Sequence, residues 1–424
     1  MAPPRRDEPV IDILGTGVRM RVIIVGAGLG GLALARFLRR ADIDVSVHER
    51  DEAFEQRPQG ARIHLDERGI GALHACLTAS ESRFLDATLG QPDEYVTILD
   101  ESDLAIVKRR KSIGREGNPN AIRPGASASR RIVRRLLAHG VHDTIRFGSA
   151  LTGYTEHTAG VTVRFADGTV DEADFLVGAD GIGSAVRQLR LPGATVSDSG
   201  LRLLQAKTPI TPELIATGVI DRIEGSFTLT AIGDVQAIIG AVRFGEQPAA
   251  AAERLIPGFD PGDLHDYVMW GLLLRRHQLG DLDRDFTRRS PAGLSDHLRS
   301  VTATAHPVFK LLFDQAFPDQ FHGLAMGTSR EVPAWTPGRV TLLGDAIHAM
   351  LPTRASGANS ALQDARRLAD AILSVHAGAQ AWEHAIGGYE NLLRRDGFQA
   401  VRASLNGVRE LDEDLTTAAA SVDS

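Results

Sequence analysis

Residues 19–49 read RMRVIIVGAGLGGLALARFLRRADIDVSVHE and carry three kinds of local order in succession. Arg19–Val25 is a near-continuous run rich in β-branched residues, which suits a central parallel strand covered on both faces. It runs directly into Gly26-Ala27-Gly28-Leu29-Gly30-Gly31, then into LALARFLRR at helical spacing, then into a second strand, Asp44–His48, ending at Glu49. That is a complete β-α-β unit. Gly26 permits the tight turn, Gly28 lets the backbone approach a pyrophosphate, and Gly31 allows helix–strand contact. The helix start then faces the phosphates. Glu49 stands about 20 residues further on, where a carboxylate can accept both ribose hydroxyls. The unit points to a dinucleotide without separating NAD from FAD; a plain glycine-rich turn is the alternative.

Working outward, a mixed region of helix and loop extends to about Ile106. A basic, Gly/Pro-rich segment follows from Lys108 to Gly125, then a helix from about Ser129 to His139. Strands are expected at Gly160–Phe165 and Asp174–Val177, on either side of the turn Ala166-Asp167-Gly168-Thr169. From about Leu191 to His322 the texture changes to alternating strands, with Ser226–Ile232 and Val235–Phe244 forming a hairpin about Gly233-Asp234. Parallel-strand character returns at Arg339–Leu343. The pattern is α/β: a Rossmann-like unit interrupted by a mixed β-sheet domain, with C-terminal helices. The expected division is a flexible arm over 1–18, a cofactor-binding domain over 19–75, 105–190 and 323–380, and a substrate domain over 76–104 and 191–322. Helices and a fraying tail are expected over 381–424.

The chain has 424 residues, with 47 Lys+Arg against 54 Asp+Glu and a formal charge of −7, so nothing favours nucleic acid. With 43% hydrophobic residues it can bury a large core. Only four basic residues are lysines (Lys108, Lys111, Lys207, Lys310), so the frequent Arg-Arg pairs do not each mark a phosphate site. The dense run Lys108-Arg109-Arg110-Lys111 with Arg115 reads as a solvated loop ahead of a 2′-phosphate site. The single cysteine, Cys76, excludes an intramolecular disulfide and any multi-cysteine metal centre. That fits a reducing, cytoplasmic location. The longest apolar stretch, Val22–Ala35, is too short and too broken by glycine to span a bilayer. The opening residues have no apolar run before a cleavage site, so no signal peptide is expected. His139 and His142 are the closest histidine pair but lack an HExxH or a carboxylate cluster, so no metal is expected.

Two further stretches carry the chemistry. DFLVGADGIGSAVR, Asp174–Arg187, and RVTLLGDAIHAMLPTRASGANSALQDA, Arg339–Ala365, follow the glycine unit in order. They resemble the "DG" and "GD" motifs of class A FAD-dependent monooxygenases, the flavoprotein aromatic hydroxylases of the para-hydroxybenzoate hydroxylase type. The resemblance covers most of residues 19 to about 395. SRRIVRRLL, Ser129–Leu137, is similar to the family's R-x-x-L-x-x-x-L helix, with Val133 where Leu is usual.

The resemblance implies an FAD-binding domain of the GR2 type. It places Gly26, Gly28, Leu29, Gly30, Gly31, Glu49, Arg50, Arg130, Asp180, Gly344, Asp345, Pro352, Gly357, Ala358 and Asn359 against FAD. Physical reasons can be given beside it. Asp345, just past a buried strand, suits ribitol hydroxyls that need a fixed acceptor, or else it caps the following loop. Pro352–Asn359 opens a helix, whose unpaired N–H groups and partial positive charge suit the N1/O2 edge of reduced flavin. Otherwise SGAN is a helix cap. Ala355 departs from the family, which usually has glycine there. Asp180-Gly181 serves FAD and the nicotinamide nucleotide, or is simply a turn. His348 invites a general-base reading but reads better as a packing or hydrogen-bonding residue. Arg62 and His64, in GARIHL, are weak catalytic candidates near the flavin edge.

The expected activity is FAD-dependent monooxygenation. NAD(P)H reduces FAD, O2 adds to give a C4a-hydroperoxide, and its distal oxygen passes to an aromatic or polycyclic substrate, with a place in secondary metabolism. Phe227, Phe244, Tyr267, Trp270 and Phe286 are available as pocket walls. Reduction or Baeyer–Villiger chemistry on the same scaffold, and a non-catalytic flavin-binding regulator, are the rival readings. The choice of NADH or NADPH and of monomer or homodimer stays open.

Overall fold

The computed structural model describes residues 20–56, 62–111, 124–262 and 264–422. The arm over 1–18 and Arg115 of the basic run lie outside the described residues.

The β-branched run Arg21–Val25 forms the centre of a five-stranded parallel sheet. Its order is Val340–Leu342, Phe175–Gly178, Arg21–Val25, Asp44–His48, Ile145–Arg146. Val22, Ile23 and Ile24 are fully buried, as a strand covered on both faces requires. The helix Leu29–Arg39 returns across one face and packs against the long helix Gly357–His376. A buried ion pair, Arg36 with Glu81, ties the first helix to the helix Ala79–Thr88, where Glu81 also closes a capping box with Thr78.

The chain leaves this sheet after Gly178 and re-enters beside the same strand at Val340. Most of a seven-stranded sheet lies in between. Its order is His322–Ser329, Val196–Pro209, Tyr267–Arg275, Val235–Val242, Ser226–Ile232, Tyr95–Leu99, Ile106–Lys111. Ser226–Ile232 and Val235–Val242 form the expected antiparallel hairpin. All neighbours are antiparallel except Tyr95–Leu99, which runs parallel to Ser226–Ile232. Two segments expected with the cofactor-binding unit, 106–111 and 323–329, instead lie in the strands Ile106–Lys111 and His322–Ser329 at the two edges of this sheet. Tyr95–Leu99 pulls the first across, and the bulged pairing with Val196–Pro209 holds the second.

The turn at Ala166–Thr169 joins Gly160–Phe165 to Val170–Ala173, not to Phe175–Gly178 as expected. Asp174 is the pivot between the two sheets. Its carboxylate accepts the Arg21 N–H at 2.8 Å, which redirects the chain into the parallel sheet. At the C-terminus one helix, Trp382–Val422, runs where a helix and a tail were expected.

Two cores result. One fills the space around the parallel sheet. The other lies on the far face of the seven-stranded sheet, under the helices Pro291–Val301 and Pro307–Asp314. Among the described residues no helix is long and apolar enough to cross a membrane, and no cluster of His, Cys, Asp and Glu could hold a metal.

Candidate cofactor and substrate site

The glycine loop is shaped by what surrounds it. Gly26 has φ +111° and donates its N–H to the His48 carbonyl at 2.8 Å. A Cβ on Gly26 would overlap the Ala179 carbonyl, so the GADG turn crosses directly over the loop. A Cβ on Gly31 would overlap the Gly26 carbonyl, and one on Gly30 would sit 2.5 Å from Leu343 Cδ1. Gly28 differs: nothing lies within 4 Å of its would-be Cβ, so its outer side is open. Leu29 is buried beneath the loop, whereas Arg50 is exposed.

Glu49 is buried and braces this loop. Its Oε2 accepts the Ala27 N–H at 2.9 Å and its Oε1 the Asp51 N–H at 3.1 Å. Arg134 supports the loop from the other side and escaped the sequence reading. Its Nε donates to the Ala27 carbonyl at 2.8 Å, and its guanidinium lies 4.0 Å over the Phe54 ring. Nothing marked it among so many arginines.

The second motif meets the third. Asp180 Oδ2 accepts the Ala185 N–H at 2.7 Å, while its buried Oδ1 has no hydrogen-bond partner among the described residues. Gly181 takes φ +75°, and Ser184 caps the next helix through the Arg187 N–H at 2.9 Å. Arg187 Nη1 then donates to the Ala346 carbonyl at 2.9 Å, tying the two motifs together.

Asp345 follows Gly344, which adopts φ +60° against Ala361. The Asp345 side chain is open to solvent, yet it sits deep among protein atoms. Burial raises its carboxyl above the usual carboxylate range, opposed by the charges of His348 and Arg130. The Arg130 Nε is buried without a hydrogen-bond partner among the described residues. His348 is fully buried, with Nε2 2.6 Å from Asp364 Oδ2. Burial works against its charged form, but the Asp364 carboxylate prevails and raises its pKa. Asp364 also accepts the Gly344 N–H at 3.1 Å, so the pair holds the loop from behind.

The long helix begins at Gly357 with no side-chain cap from Ser356. Gly357 faces Asp345, with 3.9 Å from its would-be Cβ to Asp345 Oδ1. Pro352 is exposed in the turn before it, Ala358 is half-buried, and Ala355 takes φ +50°. Asn359 is fully buried and its side chain is engaged by protein. Oδ1 accepts the Asp66 N–H at 3.0 Å, and Nδ2 donates to the His64 carbonyl at 2.8 Å and the Ala355 carbonyl at 3.0 Å. Only its backbone remains for a ligand. Arg62, on the same strand as His64, is spoken for as well: it pairs with Asp93, and its Nε donates to Ser127 Oγ at 2.6 Å.

These features fit FAD. The open side of Gly28, the unpartnered Asp180 Oδ1 and Arg130 Nε, the accessible Asp345 carboxyl and the uncapped helix start are what a dinucleotide with a polar ribityl chain would satisfy.

The seven-stranded sheet turns one face toward this region. Along Tyr267–Arg275, Tyr267 belongs to the first core and Met269 packs against it, whereas Val268, Trp270, Leu272 and Leu274 belong to the far core. Trp270 and Phe286, two of the expected pocket walls, thus face away from the parallel-sheet unit and belong to the core that holds Phe309, Phe313 and Phe321. Phe244 joins the first core, and Phe227 packs against Val96, Ile98 and Leu229.

The family described as FAD binding domain matches residues 19–199 and 318–404, leaving out most of the seven-stranded sheet. The dual O-methyltransferase/FAD-dependent monooxygenase elcB of Phaeosphaeria nodorum is 30% identical over 92% of this chain; the match spans only 46% of that protein. The chain thus covers less than half the length of this relative. The 3-amino-4-hydroxybenzoate 2-monooxygenase PtmB3 of Streptomyces platensis is 30% identical over 84% of this chain and 80% of its own length. The structure of 2,6-dihydroxypyridine-3-hydroxylase from Arthrobacter nicotinovorans superposes with a TM-score of 0.73 at 21% identity, over 94% of this chain and 93% of that one, which shows a shared fold. With more than half its length inside the family match, the chain belongs to the FAD-binding-domain family.

Proposed function

We propose that this chain is an FAD-dependent monooxygenase that hydroxylates an aromatic substrate, consuming one NAD(P)H, one H+ and one O2 and releasing NAD(P)+ and water. When bound, FAD supplies the electron transfer and the oxygen chemistry. The protein's own part is binding, orientation and water exclusion. Gly26, Gly28 and Gly31 shape the loop for the pyrophosphate, with Glu49 fixing the loop and offering its remaining lone pairs to a ribose. Asp345 accepts from ribityl hydroxyls, and Arg130 and Asp180 gain the partners they lack. The uncapped start at Gly357 and Ala358 would offer its unpaired N–H groups and partial positive charge to the anionic edge of a reduced flavin. His348 is a positioning residue that fixes the Gly344 loop through Asp364. We assign cofactor binding to the parallel-sheet unit and substrate binding to the seven-stranded sheet.

The observation that carries this reading is the convergence of three distant stretches: Ala179 against Gly26, Ala361 against Gly30, and Arg187 on Ala346. The test is NAD(P)H consumption by purified, flavin-loaded protein across a panel of aromatic acids, phenols and polycyclic compounds under 18O2. One labelled oxygen per product molecule is expected. Turnover that leaves the product unlabelled overturns the proposal.

A further inference from the structure

Lys207 stands out because its burial has no matching partner. It lies on the strand Val196–Pro209, two residues from Gln205 and so on the same face of the sheet. Its backbone pairs with Met269, and its ammonium sits 5.0 Å from the centre of the Tyr267 ring. Tyr267 and Met269 fix that face as the one turned toward the cofactor-binding unit. Lys207 is only 8% exposed, its ammonium keeping a small opening to solvent, and among the described residues that ammonium makes no hydrogen bond or ion pair. Such a charge is costly to leave unsatisfied.

Its neighbours Gln205 and His322 do not neutralise it, and the more distant Glu55 is already paired with Arg131 and Arg135. His322 Nδ1 donates to the Gln320 carbonyl at 3.1 Å, leaving Nε2 to the Gln205 amide, and burial lowers the His322 pKa, so this pair adds no negative charge. Burial pulls the Lys207 ammonium down to about 8, with Arg131 adding to the fall and Glu55 and Asp319 opposing it. A buried cation of this kind gains most from a ligand that brings the missing anion.

Resting on the monooxygenase reading above, we propose that Lys207 is the specificity-determining residue for a substrate whose aromatic ring bears an oxyanion, a carboxylate or a phenolate, received by the Lys207 ammonium beside Tyr267.

The test is calorimetric binding to the flavin-loaded enzyme, with two matched pairs of probes: 3-amino-4-hydroxybenzoate against its methyl ester, and 4-nitrophenolate against 4-nitroanisole. Wild type should bind at least one anion roughly tenfold or more tightly than its neutral partner, the scale of a charge-assisted hydrogen bond. The pair that shows the preference identifies the oxyanion. Lys207→Met at unchanged flavin content should abolish it, and Lys207→Arg should keep it. If Lys207→Met loses flavin, Lys207→Gln takes its place. Equal binding of anion and neutral partner in wild type, no binding of either anion, or a preference that survives loss of the ammonium overturns the proposal. The two readings fail separately: 18O incorporation into a neutral aromatic removes the Lys207 assignment alone. An anion preference lost in Lys207→Met, in a protein without flavin-dependent turnover, removes the monooxygenase reading alone.

Discussion

Asn359 Oδ1 accepts the Asp66 N–H at 3.0 Å, across 293 residues of sequence, so the start of the long helix and the end of the strand Arg62–Asp66 are held as one piece. The same amide reaches the His64 carbonyl at 2.8 Å. Asn359→Leu, of similar volume, would strand three backbone groups, the Asp66 N–H and the His64 and Ala355 carbonyls, each unmet partner costing about 1–3 kcal/mol. The expected result is a lower melting temperature together with a reduced ratio of flavin to protein absorbance. Asn359→Asp should lie between, since it keeps an acceptor for Asp66 but turns the donor facing His64 into another acceptor. A Leu variant with wild-type melting and full flavin would refute the brace.

The glycines of the first motif should separate by experiment into structural and ligand-facing members. A methyl at position 31 meets the Gly26 carbonyl and has nowhere to move, so Gly31→Ala should lower stability by about 1–3 kcal/mol, measured by urea unfolding of the apoprotein. Gly28 has φ −79° and open space beside it. Gly28→Ala should leave apoprotein unfolding unchanged while weakening FAD binding in a reconstitution titration. Equal losses of apoprotein stability in both variants would contradict the assignment of Gly28 to the ligand side.

How much of this was visible in the sequence depends on the range of each interaction. The buried strand Arg21–Val25 and the glycine turn announce themselves locally, and the hairpin about Gly233-Asp234 does so through its turn. The parallel pairing of Tyr95–Leu99 with Ser226–Ile232 joins segments about 130 residues apart and leaves no local mark, so the basic run from Lys108 reads as a loop segment of the cofactor-binding unit although it forms an edge strand of the other sheet. Tyr267–Arg275 reads YVMWGLLLR, apolar on both faces, so alternation could not tell that Trp270 points away from the site and Tyr267 toward it. Lys207 and Arg134 matter because of what surrounds them, which spacing does not encode.

Ala355 shows a local rule broken at the site. It takes φ +50° in the turn before the long helix, a left-handed conformation that costs an L-residue roughly 1–2 kcal/mol and glycine almost nothing. Its carbonyl accepts from Asn359 Nδ2 at 3.0 Å, which holds the residue in that state. Ala355→Gly removes the strain but gives the unfolded chain more freedom, worth about 0.4–1 kcal/mol in the other direction. The net expectation is a gain of between zero and about 1.6 kcal/mol in thermal unfolding, with flavin retained. A clear fall in melting temperature would mean that the methyl contributes packing that outweighs its strain.

His48 contributes a distinct share of the fold's sensitivity to acid, beside His297 and His322, whose burial also lowers their pKa values. The His48 ring stacks on Phe165 at 4.0 Å between centroids, Nδ1 lies 2.8 Å from Ser149 Oγ, and the side chain is buried. Burial, reinforced by Arg146, lowers its pKa from 6.5 to about 4, with Asp171 only partly opposing. As pH falls below 6.5 the unfolded chain takes up a proton that the folded protein refuses until about pH 4. Stability is therefore fully present above pH 6.5 and drains between 6.5 and 4, by about 3 kcal/mol at most. Urea unfolding measured at intervals across that window should show the slope, on top of the carboxylate contributions that begin lower. His48→Gln cannot take up the proton, so its unfolding free energy should be lower at pH 8 yet flatter between 6.5 and 4. If the variant and wild type lose stability in parallel across that window, His48 does not carry that share.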